Sequence, residues 1–169
     1  MIDFPKDVKE KLGIKDVPKE VHSNQQKPQH WKGRDKDSAK HSINSPNIVF
    51  RKDGYLRKDL LTSEAKKWAD LLSDDENGVT ATQLRNFFNE VKALQSRIEA
   101  GGFSSNEAMV GLLKSKVAYA HARAEKKRKT GFEYLQSMIE QGVDLSKSKE
   151  DFDDFALFFE AVMGFFKGR

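Results

Sequence analysis

Cysteine is absent from the 169-residue sequence, and long apolar runs are absent as well. Without cysteine the chain cannot form disulfides, thiolate zinc sites or iron–sulfur clusters, and it has no cysteine nucleophile. No stretch approaches the roughly 18 to 20 consecutive apolar residues of a membrane span, and Met1 begins a polar segment rather than the apolar core of a secretory signal. We therefore expect no membrane association, and the cytoplasm is the expected location.

Sequence motifs of enzymes and cofactor sites are also missing. The chain contains no phosphate-binding Walker loop, no dinucleotide-binding glycine fingerprint and no His-Glu-x-x-His zinc motif. Three histidines lie in a polar segment without the close spacing that a metal site requires, at His22, His30 and His41. We therefore expect neither a metal nor another cofactor, and we expect that the protein is not an enzyme.

The acidic segment 74–78 has some features of a calcium-binding loop, in which a glycine occupies the sixth position. With Gly78 at that position, Ser73 would be the first ligand, and Leu84 would stand where a bidentate glutamate is needed. Two ligands are therefore missing. The segment is better explained as a solvated connection between helices.

The first 47 residues differ in composition from the rest of the chain. They contain all four prolines, three of the four histidines and the polar run 23–27. Such a composition cannot close a hydrophobic core by itself. We predict a polar, poorly structured N-terminal extension over residues 1–47 and a folded domain over residues 48–169.

Helix signals recur from about residue 61 onward. After Leu61-Thr62-Ser63, the apolar residues Ala65, Trp68, Ala69, Leu71 and Leu72 predict a short first helix that stops in the acidic turn 73–78. Thr80 and Gln83 have the spacing of a capping box, in which each side chain bonds the backbone N–H of the other residue. The helix that follows is expected to end at Gly101-Gly102, since glycine is favoured just after a helix.

Three further helix starts have similar spacing, at Ser104 with Glu107, Thr130 with Glu133, and Ser148 with Asp151. The helix after residue 104 is expected to bury a stripe formed by Met109, Leu113, Val117, Ala120 and Ala124. We expect the helix that starts near residue 130 to end at Gly142. No convincing strand alternation interrupts the series, so the predicted fold class is all-α, a bundle of about five helices.

The last predicted helix is rich in phenylalanine, with six of the twelve in the chain between residues 152 and 166. At about 100° per residue they cover, together with Val162 and Met163, roughly half of the helix circumference, which is wider than one buried stripe requires. Two explanations remain open. Either this helix is central in the bundle, or Phe158 and Phe165, at the edge of the arc, belong to an exposed patch that another subunit covers.

Positive charge is concentrated in one part of the chain, although the net charge of the whole chain is only +4. Residues 114–129 contain seven lysines and arginines and one glutamate. Such a block attracts polyanions.

Helical spacing collects cations and one aromatic ring on the second and third predicted helices. This combination suits an RNA backbone, because arginine and lysine bind phosphates, arginine also bonds the ribose 2′-OH, and tyrosine packs on a sugar or base. The candidate RNA-binding residues are Arg85, Lys92, Lys116, Tyr119, Arg123, Lys126, Lys127 and Arg128. The alternative is that these charges only solvate the helix surfaces.

Two segments and the end of the chain carry a family resemblance. They are Thr80-x-x-Gln83-Leu84-Arg85-x-Phe87-x-x-Glu90-Val91-Lys92, then Leu112-Leu113-Lys114-x-Lys116-x-Ala118-Tyr119-Ala120-x-x-Arg123, and the final Phe165-Phe166-Lys167. Together they resemble the small subunit of type III-A CRISPR–Cas effector ribonucleoproteins, the Csm complexes. The resemblance covers about residues 56–167, and no counterpart of the segment before residue 50 is identified in the family core.

The resemblance implies an all-helical, non-catalytic subunit of which several copies stack beside a filament of backbone subunits that holds the guide RNA. The small and backbone subunits would form the groove for target RNA. Cutting of target RNA would belong to the backbone subunits, and the DNase and cyclic-oligoadenylate activities to the large subunit. Expected partners are target RNA, guide RNA, the backbone subunits, the large subunit and other copies of the same chain. Base pairing with the guide would recognise sequence, so this subunit would contact only the phosphate–sugar backbone.

Two other classes of protein are compatible with the sequence. One is a helical DNA-binding regulatory protein. A helix-turn-helix needs a tight turn, however, whereas the glycines near residue 101 join two long helices that are better explained as an antiparallel hairpin. The other is a purely structural adaptor whose basic block solvates the end of a helix.

Overall fold

The computed structural model describes residues 43–74 and 76–167. Most of the predicted N-terminal extension lies outside these residues, so the division between 1–47 and 48–169 stays a prediction. The first residues that the structure describes contact the fourth helix, Lys129–Leu145, where the Ser45 hydroxyl lies 2.8 Å from the Ser137 hydroxyl. The Ile48 backbone N–H also donates to the Gln141 side chain at 2.8 Å. The packed part of the chain therefore begins before residue 48.

A short β-hairpin precedes the helices, with antiparallel strands β1, Arg51–Lys52, and β2, Tyr55–Leu56. Its two turn residues, Asp53 and Gly54, have φ of 53° and 84°. Positive φ at both central positions matches the right-handed twist of paired strands and is favoured by an Asp-Gly sequence. The helical prediction did not include this hairpin, although the Asp-Gly pair was a local indication of it.

Five α-helices follow in the described part of the chain, which confirms the predicted all-α bundle. A π-helical turn over Leu60–Glu64 leads into the first helix. The helices are α1, Ala65–Leu72; α2, Ala81–Gly101; α3, Glu107–Arg123; α4, Lys129–Leu145; and α5, Lys149–Phe165. None of these helices is long and apolar enough to cross a membrane.

Two of the predicted helix starts are confirmed in atomic detail. The Gln83 backbone N–H donates to the Thr80 hydroxyl at 3.2 Å, and the Thr80 N–H donates to the Gln83 side chain at 2.8 Å. At the start of α5, the Asp151 N–H donates to the Ser148 hydroxyl at 3.2 Å. The end of α2 is also confirmed, because Gly102 follows it with a positive φ of 79°.

The other two predicted starts are wrong. Helix α3 begins after Asn106, without a side-chain cap from the described residues. Helix α4 begins after Arg128, and its Gly131 N–H donates to the Asn77 carbonyl at 3.0 Å. A tertiary hydrogen bond therefore satisfies one of the free N–H groups in the first turn of α4, where no side chain in the described part of the chain caps the helix. Local spacing contains no information about such a partner.

Helix α4 also continues past Gly142, where the sequence predicted its end. A Cβ atom at Gly142 would lie 2.2 Å from Cε2 of Phe155, so the ring of α5 fills the space of a side chain. This glycine therefore permits close packing between two helices and does not end one.

Helix α5 is the centre of the bundle. It packs against the π-helical turn, α1, α2 and α4, and four of its phenylalanines are completely buried, Phe152, Phe155, Phe158 and Phe159. The prediction that Phe158 belongs to an exposed patch is wrong, because elements on several sides enclose the wide phenylalanine arc. Phe165 remains 39% exposed at the end of the helix.

The closest backbone packing pairs α3 with α4, and α5 with both α1 and α2. Helices α2 and α3 run antiparallel, as predicted, but they meet mainly through side chains across a groove. Glu90 of α2 pairs with Lys116 of α3, and Arg97 further along α2 lies near Met109 of α3. This separation of α2 from α3 creates the surface considered next.

Candidate nucleic-acid interface

Two concavities follow one another along the α2/α3 groove. The first has a volume of about 280 Å³ and is lined by Glu90, Ala93, Leu94, Arg97, Met109, Leu112, Leu113 and Lys116. The second has a volume of about 390 Å³ and is lined by Gln83, Asn86, Phe87, Ala120, Arg123, Ala124, Glu125, Arg128 and Phe132. We call them the Lys116 end and the Arg123 end of the groove. Both have an apolar floor and cationic side chains.

The α3 wall of the groove presents more apolar surface than the sequence indicated. Helix α3 buries only a narrow stripe, which consists of Val110, Leu113 and Val117. The predicted stripe began with Met109, but Met109 and Leu112 are exposed and line the groove. The groove therefore has an exposed apolar wall at the Lys116 end.

Tyr119 and Arg123 form a pre-arranged pair one turn apart on α3. The Arg123 guanidinium donates to the Tyr119 hydroxyl at 2.7 Å, and its central carbon lies 5.4 Å from the ring centroid. A cation over an aromatic face at this distance is stabilised by about 0.5–1 kcal/mol at an exposed site. Because Tyr119 is 63% exposed, the pair offers both a ring and a guanidinium to solvent.

Lys116 is the α3 cation at the Lys116 end of the groove, and it is paired with a carboxylate. Its Nζ lies 2.6 Å from a carboxylate oxygen of Glu90 across the groove. The two side chains are 41% and 46% exposed, and such surface ion pairs are typically worth about 0–1 kcal/mol. A phosphate can therefore replace the Glu90 carboxylate at small cost.

The basic turn between α3 and α4 divides into structural and exposed cations. Arg128 donates to the Gly78 carbonyl at 2.9 Å, which fixes the turn against the α1–α2 connection. Lys127 pairs with Glu125 at 3.2 Å. Lys126 is exposed and forms no ion pair with the other described residues. The predicted rim of positive charge is therefore present, but only part of it is uncompensated.

The two candidate cations of α2 lie away from this groove. Lys92 bonds Gln95 at 2.7 Å and lies 3.6 Å from Glu160 of α5. Arg85 is exposed and shares the same helix face, because it precedes Lys92 by seven residues. The structure therefore brings together the α3 candidates and the basic turn, while Arg85 and Lys92 lie on the flank of α2 that faces α5.

That flank is neutralised by a compact network of charges. Lys149 of α5 contacts Asp153 at 2.9 Å and Glu99 of α2 at 2.8 Å, and Gln95 donates to Asp153 at 2.7 Å. Partial burial by itself raises the pKa of Asp153, but the hydrogen bond from Gln95 and the Lys149 ammonium outweigh burial and lower it. The flank is therefore a charge-paired contact between α2 and α5.

Sequence reasoning missed two polar residues of the groove, Asn86 and Arg97. Both lie on the α2 face that meets α3, which only the tertiary packing defines. Among residues 43–74 and 76–167, no group of three or more histidine or carboxylate side chains is arranged to hold a metal ion.

The fold and the groove define a class of protein, a small all-α bundle that presents cations along an open groove, with an exposed tyrosine bonded to one of them. A family model described as Csm2 Type III-A matches residues 56–168. The chain belongs to this family and is therefore the small subunit of a type III-A Csm complex, which confirms the resemblance found in the sequence. No curated protein and no solved structure matches the chain. Small subunits of this family are generally structural components and not catalysts.

Proposed function

We propose that this subunit binds target RNA, or the guide–target duplex, through the phosphate–sugar backbone in the α2/α3 groove. It would do so as one of several copies stacked along the backbone subunits of a cytoplasmic ribonucleoprotein in antiviral defence. The observation that carries the proposal is that Lys116 and Arg123 of α3 line the two concavities of one open groove, with the exposed Tyr119 bonded to Arg123. Lys126 and Lys127 extend the positive charge beyond the Arg123 end.

The chemistry of these groups favours backbone contacts. Lysine and arginine neutralise phosphates, and each neutralised phosphate releases condensed counterions, which gives affinity without a sequence preference. The exposed Tyr119 ring supplies a sugar or base contact that tolerates any sequence. Arg85 and Lys92 are expected to contribute less to this binding, because they lie on the flank that faces α5 and Lys92 already has partners there.

The decisive experiment replaces Lys116 and Arg123 together by glutamate in an assembled Csm complex and measures capture of target RNA over a range of salt concentrations. We expect weaker capture of every target sequence and a shallower salt dependence, because each lost phosphate contact reduces the magnitude of the slope of log K against log salt by about 0.7–0.9. The neutral variant K116Q/R123Q gives the cleaner slope, since it adds no carboxylate beside Glu90.

The matched control is K58E/K67E, which makes the same change of charge at two exposed lysines outside the groove. If K116E/R123E and K58E/K67E reduce capture equally, the groove has no special part in RNA binding, and only general electrostatic attraction remains. If neither variant alters capture, the subunit is a structural adaptor. A preference for duplex DNA over RNA at matched salt would instead favour a DNA-binding protein.

A further inference from the structure

The Arg123 end of the groove is a pocket lined by aromatic rings, which a surface that binds only the RNA backbone does not require. Its volume of about 390 Å³ lies within the range of small-molecule sites. Phe132 forms a nearly buried part of its lining and Phe87 a half-buried part, with Ala120 and Ala124 between the helices. Two aromatic rings and small aliphatic side chains give the pocket an apolar interior that can accept a flat ring.

Two side-chain amides, those of Asn86 and Gln83, also line this pocket. Asn86 is exposed and forms no hydrogen bond with the other described residues, so its amide offers both a donor and an acceptor. Gln83 accepts the Thr80 N–H through its oxygen, which leaves its NH₂ group as a donor. Side-chain amides beside aromatic rings are the groups with which proteins recognise the edges and faces of unpaired bases.

The charges at the edge of the pocket favour an anionic group attached to the flat ring that the pocket accepts. Arg123 and Arg128 both line the pocket, and hydrogen bonds to Tyr119 and to the Gly78 carbonyl hold them in place. The one carboxylate in the lining, Glu125, is already paired with Lys127. An apolar slot with amides, beside two positioned guanidinium groups, has the chemistry of a site for a base and its phosphate.

We propose that the pocket at the Arg123 end holds one unpaired nucleobase of the bound RNA. The base lies against Phe87, Asn86 bonds its edge, and Arg123 contacts the adjoining phosphate. This inference rests on the proposed RNA-binding function and adds to it a defined position at which the strand is not paired. At the remaining positions the groove contacts only the backbone.

The test uses Csm complexes assembled with wild-type or N86A subunits and target RNAs in which 2-aminopurine replaces one base at a time. We expect one or more positions at which 2-aminopurine fluorescence is quenched on binding and at which N86A relieves the quenching. At such a position N86A should weaken binding about three- to tenfold, the loss expected for one hydrogen bond and weakened stacking. An RNA without a base there should bind wild type and N86A equally.

The matched control is N89A, because Asn89 is an exposed asparagine on α2 that does not line the pocket. If N86A behaves like N89A at every position while K116E/R123E still loses RNA, the base pocket is overturned and the proposed function stands. If K116E/R123E also captures RNA normally, both the base pocket and the proposed function fail.

Titration of the full-length chain with AMP, followed by NMR, distinguishes a base within a strand from a free nucleotide. AMP binding as tight as that of RNA would overturn the proposal, and weaker binding that Asn86 controls would support it.

Discussion

Single residues determine how closely the helices approach one another, and Gly142 is the clearest case. It lies inside α4, where a glycine is normally unfavourable, yet Phe155 of α5 occupies the space of its missing side chain. Gly111 of α3 makes a useful comparison, because a Cβ there would meet nothing within 4 Å. The same residue type therefore permits packing at one position and only weakens the helix at the other.

We predict that G142A destabilises the protein by about 1–3 kcal/mol or more, since the added methyl group must displace the Phe155 ring from a tightly packed core. G111A should instead stabilise it by about 0.5–1 kcal/mol, the usual gain from alanine in an exposed helix interior. Urea unfolding followed by circular dichroism measures both changes. Equal effects of the two substitutions would contradict the proposed packing role of Gly142.

At the same scale, local chemistry was predictable and long-range neighbours were not. The Thr80–Gln83 capping box was predicted because both partners lie within four residues of each other. The position of Lys116, Tyr119 and Arg123 on one side of α3 was also predicted from spacing along one helix, while their role in RNA binding stays a prediction. Asn86 was missed and Phe158 was wrongly assigned to a surface patch, because the environment of each depends on a second element that spacing within one helix does not identify.

At the scale of elements, α2 and α5 are joined by the charge network of Glu99, Gln95, Lys149 and Asp153. The pKa of Asp153 is lower in the folded chain than its ordinary value of 3.8. A carboxylate with a lowered pKa stabilises the fold above its unfolded-state pKa, and this contribution is lost as the pH falls through the folded-state pKa. The contact between α2 and α5 should therefore weaken in acid.

We predict that K149M lowers the free energy of unfolding near neutral pH and makes it less dependent on acid, because Asp153 then loses a partner of its charged form. The difference between wild type and K149M should shrink as the pH falls below 3.8 and through the lower folded-state pKa of Asp153, because the carboxyl is then protonated in both proteins. Urea unfolding at a series of pH values measures this. The control K66M removes the exposed pair of Lys66 with Asp70, and it should leave the acid dependence unchanged.

Elements were predictable where the chain determines them locally. The Ser148 start of α5 and the Gly102 end of α2 follow from neighbouring residues. The start of α4 does not, because its Gly131 N–H is satisfied by Asn77 from the α1–α2 connection. The β-hairpin had a local indication at Asp53-Gly54, but its strands have only two residues each, too few to produce a recognisable alternation.

At the scale of the whole molecule, Phe165 is the one of the two predicted interface residues that is exposed, since Phe158 is buried. Phe165 is 39% exposed at the end of α5, and Leu145 at the end of α4 has the same exposed fraction. We propose that Phe165 is covered by another subunit of the complex, as the sequence prediction stated. The two residues thus form a matched pair for testing assembly.

We predict that F165E reduces the amount of subunit recovered with a tagged Csm complex several-fold, because a buried apolar contact between subunits would be lost. Its thermal unfolding midpoint should stay close to that of wild type, since the side chain is already partly exposed. L145E provides the comparison, with recovery expected to remain normal. Recovery of F165E equal to that of L145E would remove Phe165 from the interface.

The separation of α2 from α3 bears on the range of strands that the groove can accept. Its two walls are anchored independently, α2 on α5 and α3 on α4, so its width depends on how the two anchored pairs sit side by side. Small sliding movements between packed helices are a common way for proteins to change shape. A slight shear between these pairs would change the width of the groove, so the strand that it accepts depends on how the assembled complex holds the two pairs.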